Sequence, residues 1–174
     1  MTEAAIAAWN NYFVTIAQVS ATLAGLLFVG LTISLGYVLS SAGYLNRAFV
    51  ALFLQFEMLI IAIFGIVPGQ PAWVVGGEFI LTGLAILAGT SVFGYNFPED
   101  PSAVLGSTGP RTVRRALAWL AMLLPVGAGV GLLIRWPLAL YLLIPAEIAC
   151  LYLSIGNTWV FAVEIPRRMS QTPK

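Results

Sequence analysis

Residues 48–67 read AFVALFLQFEMLIIAIFGIV, and this run decides the fold. Only Gln55 and Glu57 interrupt twenty otherwise apolar positions. About 20 consecutive apolar residues are needed for a helix to cross roughly 30 Å of hydrocarbon. A segment in lipid must satisfy its own backbone N–H and C=O groups, and a helix does so internally. The run therefore predicts a transmembrane helix that carries one carboxyl group inside the membrane.

The composition of the whole chain agrees with this interpretation. Hydrophobic residues make up 60% of the 174 residues, charged residues only 9%, and the mean hydropathy is +0.94. These values are typical of integral membrane proteins. A net charge of +1 is too small to bind the phosphate backbone of a nucleic acid, so we expect no nucleic-acid partner. With no His and one cysteine, Cys150, we expect no disulfide, metal or cofactor, and we interpret Cys150 as a small buried hydrophobe.

Four further apolar runs predict four further spans. The five predicted spans are 12–39, 48–68, 72–95, 116–134 and 138–163. No ten-residue alternation of polar and apolar side chains is present, which argues against a membrane β-barrel. We therefore predict an all-α, polytopic transmembrane bundle in which residues 1–174 form a single domain, with a cytoplasmic loop at 96–115.

The distribution of basic residues predicts the orientation of the bundle. The segments 40–47, 96–115 and the C-terminal tail lie on one side and hold seven basic residues: Arg47, Arg111, Arg114, Arg115, Arg167, Arg168 and Lys174. The opposite side holds only Arg135. Because basic residues favour the cytoplasm, we expect the N-terminus outside and the C-terminus inside. We interpret the arginines of the 96–115 loop as an anchor, with an anionic-lipid or docking site as the alternative.

Small residues recur on two of the predicted helices. Ala17, Ala21 and Gly25 are spaced four residues apart in the first span, and Gly127 and Gly131 form a GxxxG pattern in the fourth. Small residues let helix backbones approach closely, and packing drives association where lipid is as apolar as leucine. We expect these five residues to lie at contacts between helices.

Three glutamates, Glu57, Glu78 and Glu147, lie in apolar runs that contain no Lys or Arg. A charged side chain at the bilayer centre costs about 2.5–3.5 kcal/mol on insertion scales, so such residues usually face a bundle interior or a water-filled path. A helix rises about 1.5 Å per residue, which puts Glu57 and Glu147 near the membrane midplane and Glu78 nearer the outer surface. We expect all three to line the outer and middle part of one cavity.

The surroundings of the three glutamates differ. Glu78 shares a helix face with Thr82, and polar residues follow Glu147 two and three turns further on, whereas Glu57 stands in an apolar wall. We expect Glu57 to be the neutral one. The predicted ion or proton pathway consists of Glu57, Glu78, Glu147, Gln18, Ser154 and Asn157.

Pro145 stands two residues before Glu147. Proline has no N–H, so inside a helix it would free the carbonyl of Tyr141. A freed carbonyl beside a carboxyl group is suited to binding a cation or water. The alternative is that Pro145 only bends the helix.

Two functions are consistent with these features. The first is a homo-oligomeric channel or transporter-like pore for a small cation or proton, because the acids are unpaired and the chain is too short to enclose a wide path alone. The alternative is a non-conducting regulatory or scaffold subunit, whose desolvated glutamates are neutral and donate hydrogen bonds to Gln18, Gln55 or backbone carbonyls. The lipid bilayer is the surrounding partner in both. We do not expect an enzyme, because neither nucleophile–base pairs nor metal-ligand spacings are present.

Several stretches of the first half resemble a group of small bacterial inner-membrane proteins. The resemblance is carried by a first helix of the form Trp-x3-Phe followed by ATLAGLLFVGL, here Trp9 to Phe13 and residues 21–31, and by Arg47-Ala48 and residues 68–70. It covers mainly the first 70 residues. The resemblance implies a prokaryotic plasma membrane and carries over no active site.

Overall fold

The computed structural model describes residues 6–40, 42–96 and 111–169, and these residues form a helical bundle without a β-strand. The helices are α1 (Asn10–Ile33), α2 (Leu35–Leu39), α3 (Ala42–Ile66), α4 (Ala72–Asn96), α5 (Arg111–Leu133), α6 (Leu143–Trp159) and α7 (Ile165–Met169). A 3₁₀ turn, Ala139–Leu142, precedes α6. A π-helical turn, Val160–Glu164, joins α6 to α7.

Five segments of this described chain are long and apolar enough to cross a membrane. They are Asn10–Ile33, Ala42–Ile66, Ala72–Val92, Val113–Leu133 and Ala139–Arg167. Many large apolar side chains on these segments point outward, as contact with lipid requires; Leu81 is 71% exposed. The prediction of an all-α polytopic bundle is confirmed, and the chain is an integral membrane protein.

Successive spanning helices run in opposite directions. The turn at 67–71 joins α3 to α4, and residues 134–138 join α5 to the 3₁₀ turn. Close contact of Gly76 in α4 with Gly129 in α5 puts both connections at the same end, called here the Pro-Gly end. The opposite end, where α3 and α5 begin, is called the arginine end because Arg47, Arg114 and Arg115 lie on the first turns of those helices.

The core lies between α3, α5 and α6, with α1 packed along α3 and α4 packed along α5. Apolar side chains fill it at three levels. The middle level includes Leu54, Met58, Ile86, Met122 and Leu153. Because these residues come from four helices, the middle of the bundle is enclosed on all sides by protein rather than by lipid.

Two predicted helix boundaries are wrong. The first span was predicted to reach residue 39, but α1 ends at Ile33, where the Ser34 hydroxyl donates to the carbonyl of Gly30 at 2.9 Å. The predicted 40–47 loop is largely helical, because α3 begins at Ala42 and buries Tyr44 and Asn46 in its first turns. A serine that bonds back into its own helix can bend or end that helix.

Both ends of the predicted 96–115 loop are helical, because α4 includes Asn96 and α5 begins at Arg111. The arginines interpreted as an anchor or docking site, Arg111, Arg114 and Arg115, thus lie at the start of α5. Residues 97–110 lie outside the described residues, and the interpretation stays a prediction.

The two prolines near the core occupy different positions from those expected. Pro145 lies in the first turn of α6, where a missing N–H costs little, and the Tyr141 carbonyl accepts a bond from the N–H of Leu143. Pro145 therefore frees no carbonyl there. Pro125 lies inside α5 instead, so the carbonyl of Ala121 loses its usual helical donor.

Glycines let α4 and α5 touch backbone to backbone. A Cβ on Gly76 would lie 2.8 Å from the carbonyl oxygen of Gly129, and a Cβ on Gly129 would lie 2.5 Å from that of Gly76. The glycines expected at helix contacts, Gly127 and Gly131, face Leu142 and Ala139. The closest approach thus involves Gly129, which lies between the two glycines of the GxxxG pattern.

Two of the three small residues of α1 predicted at helix contacts are not covered by other helices in the described part of the chain. Ala21 and Gly25 are exposed, and a Cβ on Gly25 would meet nothing within 4 Å. Ala17 is partly buried beside the middle core level. The stripe faces outward because α1 packs on α3 with a different face, formed by Phe13, Ser20 and Leu27.

Gly76→Ala should destabilise the fold by about 1–3 kcal/mol, because its Cβ would force α4 away from α5. Its neighbour is a matched control, since a Cβ on Gly77 would meet nothing within 4 Å. Gly77→Ala should leave stability unchanged or raise it by up to about 1 kcal/mol. Thermal unfolding in mild detergent measures both, and equal melting temperatures would contradict the close approach.

The end of α5 carries backbone strain at Arg135. The N–H groups of Arg135 and Trp136 bond to the carbonyls of Leu132 at 3.1 Å and Gly131 at 2.7 Å. This pattern is a Schellman motif, which usually has glycine in the left-handed position. Here that position is Arg135, with a φ of 58°.

Arg135→Gly should therefore stabilise the protein by about 1 kcal/mol, because glycine adopts a positive φ without a steric penalty. Arg135→Ala is the control, since it removes the charge and keeps the Cβ. Melting temperatures in the same detergent separate the two effects. If both variants shift the melting temperature equally, strain at this position is not the cause.

Candidate functional site

Glu57 of α3 and Glu147 of α6 line one cavity between α3, α5 and α6. Its volume is about 10 Å³, which is space for about one water molecule. The rest of its lining is apolar apart from one thiol, and consists of Met58, Ile61, Ala121, Pro125, Leu143, Ala146 and Cys150. Two of the three glutamates of the predicted pathway thus line one small cavity.

Three of the four carboxyl oxygens of Glu57 and Glu147 are buried and lack hydrogen-bond partners among the described residues. Glu57 exposes 1% of its surface and Glu147 exposes 7%. Among the described residues, neither oxygen of Glu57 has a partner, and the same holds for Oε2 of Glu147. The large majority of buried polar atoms in proteins are paired, so each unpaired one needs a reason. Two such groups beside a water-sized cavity make this the candidate functional site.

The antiparallel packing of α3 and α6 brings the two glutamates to one level. A second contact in the same register is the hydrogen bond from Arg47 Nε to Asn157 Oδ1, 2.7 Å long. Arg47 precedes Glu57 by ten residues, and Asn157 follows Glu147 by ten residues (57 − 47 = 157 − 147 = 10). At about 1.5 Å per residue the two levels are about 15 Å apart. The same alignment of α3 against α6 therefore brings Glu57 to the level of Glu147 and Arg47 to the level of Asn157.

Two ionised carboxylates cannot share this cavity. Apolar walls disfavour each charge, and two like charges in range of each other disfavour it further. Glu57 and Glu147 are close enough to interact electrostatically, and no basic side chain lines the cavity. The pair must therefore retain at least one proton. Binding and releasing that proton is the chemistry this arrangement offers.

The helix α5 has a backbone carbonyl without its usual donor at the level of the cavity. Ala121 and Pro125 both line the cavity. Because Pro125 has no N–H, the carbonyl of Ala121 lacks its usual donor four residues later. The freed carbonyl expected from Pro145 is thus provided by another helix. Sequence reasoning missed it, although a proline within a predicted span was the signal.

Tyr12 of α1 brings a phenol towards the same site. Its hydroxyl is buried without a partner among the described residues, and it lies within electrostatic range of Glu147 and Cys150. Its ring packs edge-on against Trp9, with the centroids 5.2 Å apart. Sequence reasoning did not include Tyr12 in the pathway, because only the packing of α1 brings it near α6.

Glu78 does not belong to this site, contrary to the expectation of one shared cavity. It does not line the cavity of the other two glutamates, and it is only partly buried. The side chain of Gln70, in the turn at the Pro-Gly end, donates from Nε2 to Glu78 Oε1 at 3.1 Å. The hydroxyl of Thr82 donates to the Glu78 backbone carbonyl at 2.8 Å. Glu78 and Thr82 are neighbours as predicted, but Glu78 is held at the edge of the bundle.

The remaining predicted pathway residues are distributed over two environments. Gln18 is exposed on the outward face of α1, away from the cavity. Ser154 is completely buried, and its hydroxyl has no partner in the described part of the chain. Asn157 is buried and accepts the hydrogen bond from Arg47. Ser154 and Asn157 thus lie in the interior, and Gln18 does not.

Within the described residues, no three His, Cys, Asp or Glu side chains are grouped so that they could hold a metal ion. The two carboxyl groups and one backbone carbonyl are fewer oxygens than the six to eight that Ca²⁺ takes.

Comparison with protein-family models, with curated proteins and with solved structures finds no match for this chain.

Infrared spectroscopy can detect the proton retained by the pair. Wild-type protein should show a carboxylic C=O stretch that disappears in the double variant Glu57→Gln/Glu147→Gln, because the amide cannot carry that proton. Gln55→Leu changes another buried polar side chain of α3 without removing a carboxyl group, and should leave the band in place. An identical band in wild type and double variant would mean that both glutamates are ionised.

Proposed function

We propose that this protein conducts protons, alone or coupled to another solute, through the interior of its own helical bundle in a bacterial plasma membrane. Glu57 and Glu147 would be the proton-binding groups. The observation that carries the proposal is that Glu57 and Glu147, with three buried and unpaired carboxyl oxygens between them in the described part of the chain, line one cavity the size of one water molecule. Intramembrane carboxyl groups of this kind are typical of proton relays in pumps and transporters.

A proton is favoured over a metal cation by the chemistry of the cavity. A dehydrated cation needs several oxygen ligands in its first shell. The cavity offers two carboxyl groups among mainly apolar side chains. A proton needs only one acceptor at a time. The sequence led us to expect either a small cation or a proton as the conducted species, and of these two we propose the proton.

The lack of hydrogen-bond partners argues against the alternative function, in which the glutamates are neutral and serve only to hydrogen-bond one helix to another. That interpretation expected hydrogen bonds to Gln18, Gln55 or backbone carbonyls. Gln18 faces outward, and both amide atoms of Gln55 lack partners among the described residues, as do both oxygens of Glu57. A group retained for hydrogen bonding should be engaged in it, because an unpaired buried polar atom costs about 1–3 kcal/mol.

The proposal includes a homo-oligomer whose contact is the outward face of α1. Ala21 and Gly25 form a small-residue surface there, beside exposed Gln18 and Thr22. Small residues allow close helix approach in lipid, and polar side chains can bond across such a contact. The proton site itself would not require the oligomer, since both glutamates lie inside one chain. No enzymatic activity is proposed, and the arginine end is proposed to face the cytoplasm.

Proton flux into proteoliposomes with a trapped pH-sensitive dye tests the function. Glu57→Gln and Glu147→Gln should each lower the flux at least about 10-fold, because each removes an obligatory proton acceptor. Glu78→Gln is the matched control and should retain wild-type flux, since Glu78 lies outside the cavity.

Three outcomes would contradict the proposal. Flux unaffected by the two cavity variants would remove the carboxyl pair from the path. Flux lost only in Glu78→Gln would place the path at the edge of the bundle. Wild-type vesicles without flux, together with a stable co-purifying membrane protein, would favour the regulatory or scaffold subunit.

A further inference from the structure

One face of α6 carries a polar group on every turn. Glu147, Cys150, Ser154 and Asn157 follow one another at intervals of three, four and three residues, which places them on one side of the helix. Their exposed fractions are 7%, 1%, 0% and 6%. These four residues, called here the α6 stripe, are thus buried in a chain whose other interior positions are mainly apolar.

Contacts at both ends show that the α6 stripe faces α3. Glu147 and Cys150 line the cavity with Glu57 at one end. Asn157 is bonded to Arg47 of α3 at the other. Ser154 lies between these contacts on the same helix face, and its hydroxyl has no partner in the described part of the chain. The stripe therefore connects the carboxyl pair with the arginine end of the bundle.

Neighbouring helices add polar atoms to the interior. The hydroxyl of Ser20 in α1 is completely buried and has no partner among the residues described. The Oδ1 atom of Asn46 and the hydroxyl of Thr158, close in sequence to Arg47 and Asn157, are also buried and unpartnered there. On the Pro-Gly side of the cavity the core is instead apolar and includes Phe13, Phe79 and Leu140. Unpaired buried polar atoms also occur towards the Pro-Gly end, at Tyr12, Gln70 and Glu78, but the α6 stripe itself runs from the carboxyl pair towards the arginine end.

We propose that the α6 stripe is the route by which protons pass between the Glu57–Glu147 pair and the arginine end, and that the Arg47–Asn157 hydrogen bond closes this route. The inference rests on the proposed function and deepens it by naming the path and its gate. Ser154 is the relay in the middle of the path.

The transfer leaves every residue chemically unchanged. The Ser154 hydroxyl accepts a proton at a lone pair and releases its own proton to the next acceptor, so no bond is formed or lost overall. Glu147 and Ser154 are seven residues apart, a rise of about 10 Å. Water must therefore complete the hydrogen-bonded chain between them.

Breaking the Arg47–Asn157 bond is the step that admits water to the stripe. While this bond is present, its 2.7 Å length leaves no space for a water molecule between the two side chains. Proton exchange at the carboxyl pair is then limited by the opening of this contact and by the relay at Ser154.

Hydrogen–deuterium exchange of the carboxyl pair tests the path without any transport measurement. Transfer of the protein into D2O shifts the carboxylic C=O band, and the rate of the shift reports how fast solvent protons reach the pair. Ser154→Ala should slow the shift at least about 10-fold. Thr and Val have nearly the same shape, but Thr carries a hydroxyl where Val carries a methyl. The Ser154→Thr variant should therefore retain a near-wild-type exchange rate, and the Ser154→Val variant should not. Asn157→Ala should speed the exchange.

Ser91→Ala is the control, because this hydroxyl is exposed and bonded to the carbonyl of Leu87. Equal exchange rates in wild type, Ser154→Thr and Ser154→Val would overturn the path. The path also fails if Asn157→Ala slows the exchange while the melting temperature is retained.

The failure of this inference can be told apart from failure of the proposed function. Flux that requires Glu57 and Glu147 but is the same in the Thr and Val variants of Ser154 overturns the path alone. Exchange that depends on the Ser154 hydroxyl in protein without proton flux supports the path and overturns conduction.

Discussion

Lipid offers a helix neither hydrogen-bond partners nor counter-charges, so this chain must accommodate its polar side chains within its own bundle. It does so in two ways. Asn157 accepts a hydrogen bond from Arg47, and one carboxyl oxygen of Glu78 accepts a hydrogen bond from Gln70. Glu57 and Glu147 differ in that they line one cavity whose other lining residues are apolar apart from one thiol. The proposed proton site rests on this meeting of the two side chains.

Helix packing accounts for the shape of this site. The glycine contacts of α4 and α5 bring two backbones together, which holds α5 firmly against one side of the bundle. On its other side α5 presents Ala121 and Pro125 to the cavity. Well-packed interiors do not deform continuously, so a cavity this small persists only where the surrounding helices are held in place.

The helices could be predicted from the sequence because spanning length is a local property of an apolar run. Their ends could not be predicted equally well. The helix α1 already ends at Ile33, and α3 extends back to Ala42, where Tyr44 and Asn46 are buried by tertiary packing. For the site, depth along the membrane was predictable from residue counting, and it correctly grouped Glu57 with Glu147. The rotation of each helix about its own axis could not be predicted in this way. This rotation places Glu78 and Gln18 away from the cavity.

By itself, the sequence determined that this is an all-α membrane protein and that three carboxyl groups lie within its apolar spans, since both follow from composition and local periodicity. Only the tertiary structure decided which carboxyl groups meet. Helix register and rotation depend on contacts between residues far apart in the chain, such as Gly76 with Gly129 and Arg47 with Asn157. No local pattern encodes those contacts, and they alone bring Glu57 to Glu147 beside the proline-freed carbonyl of α5.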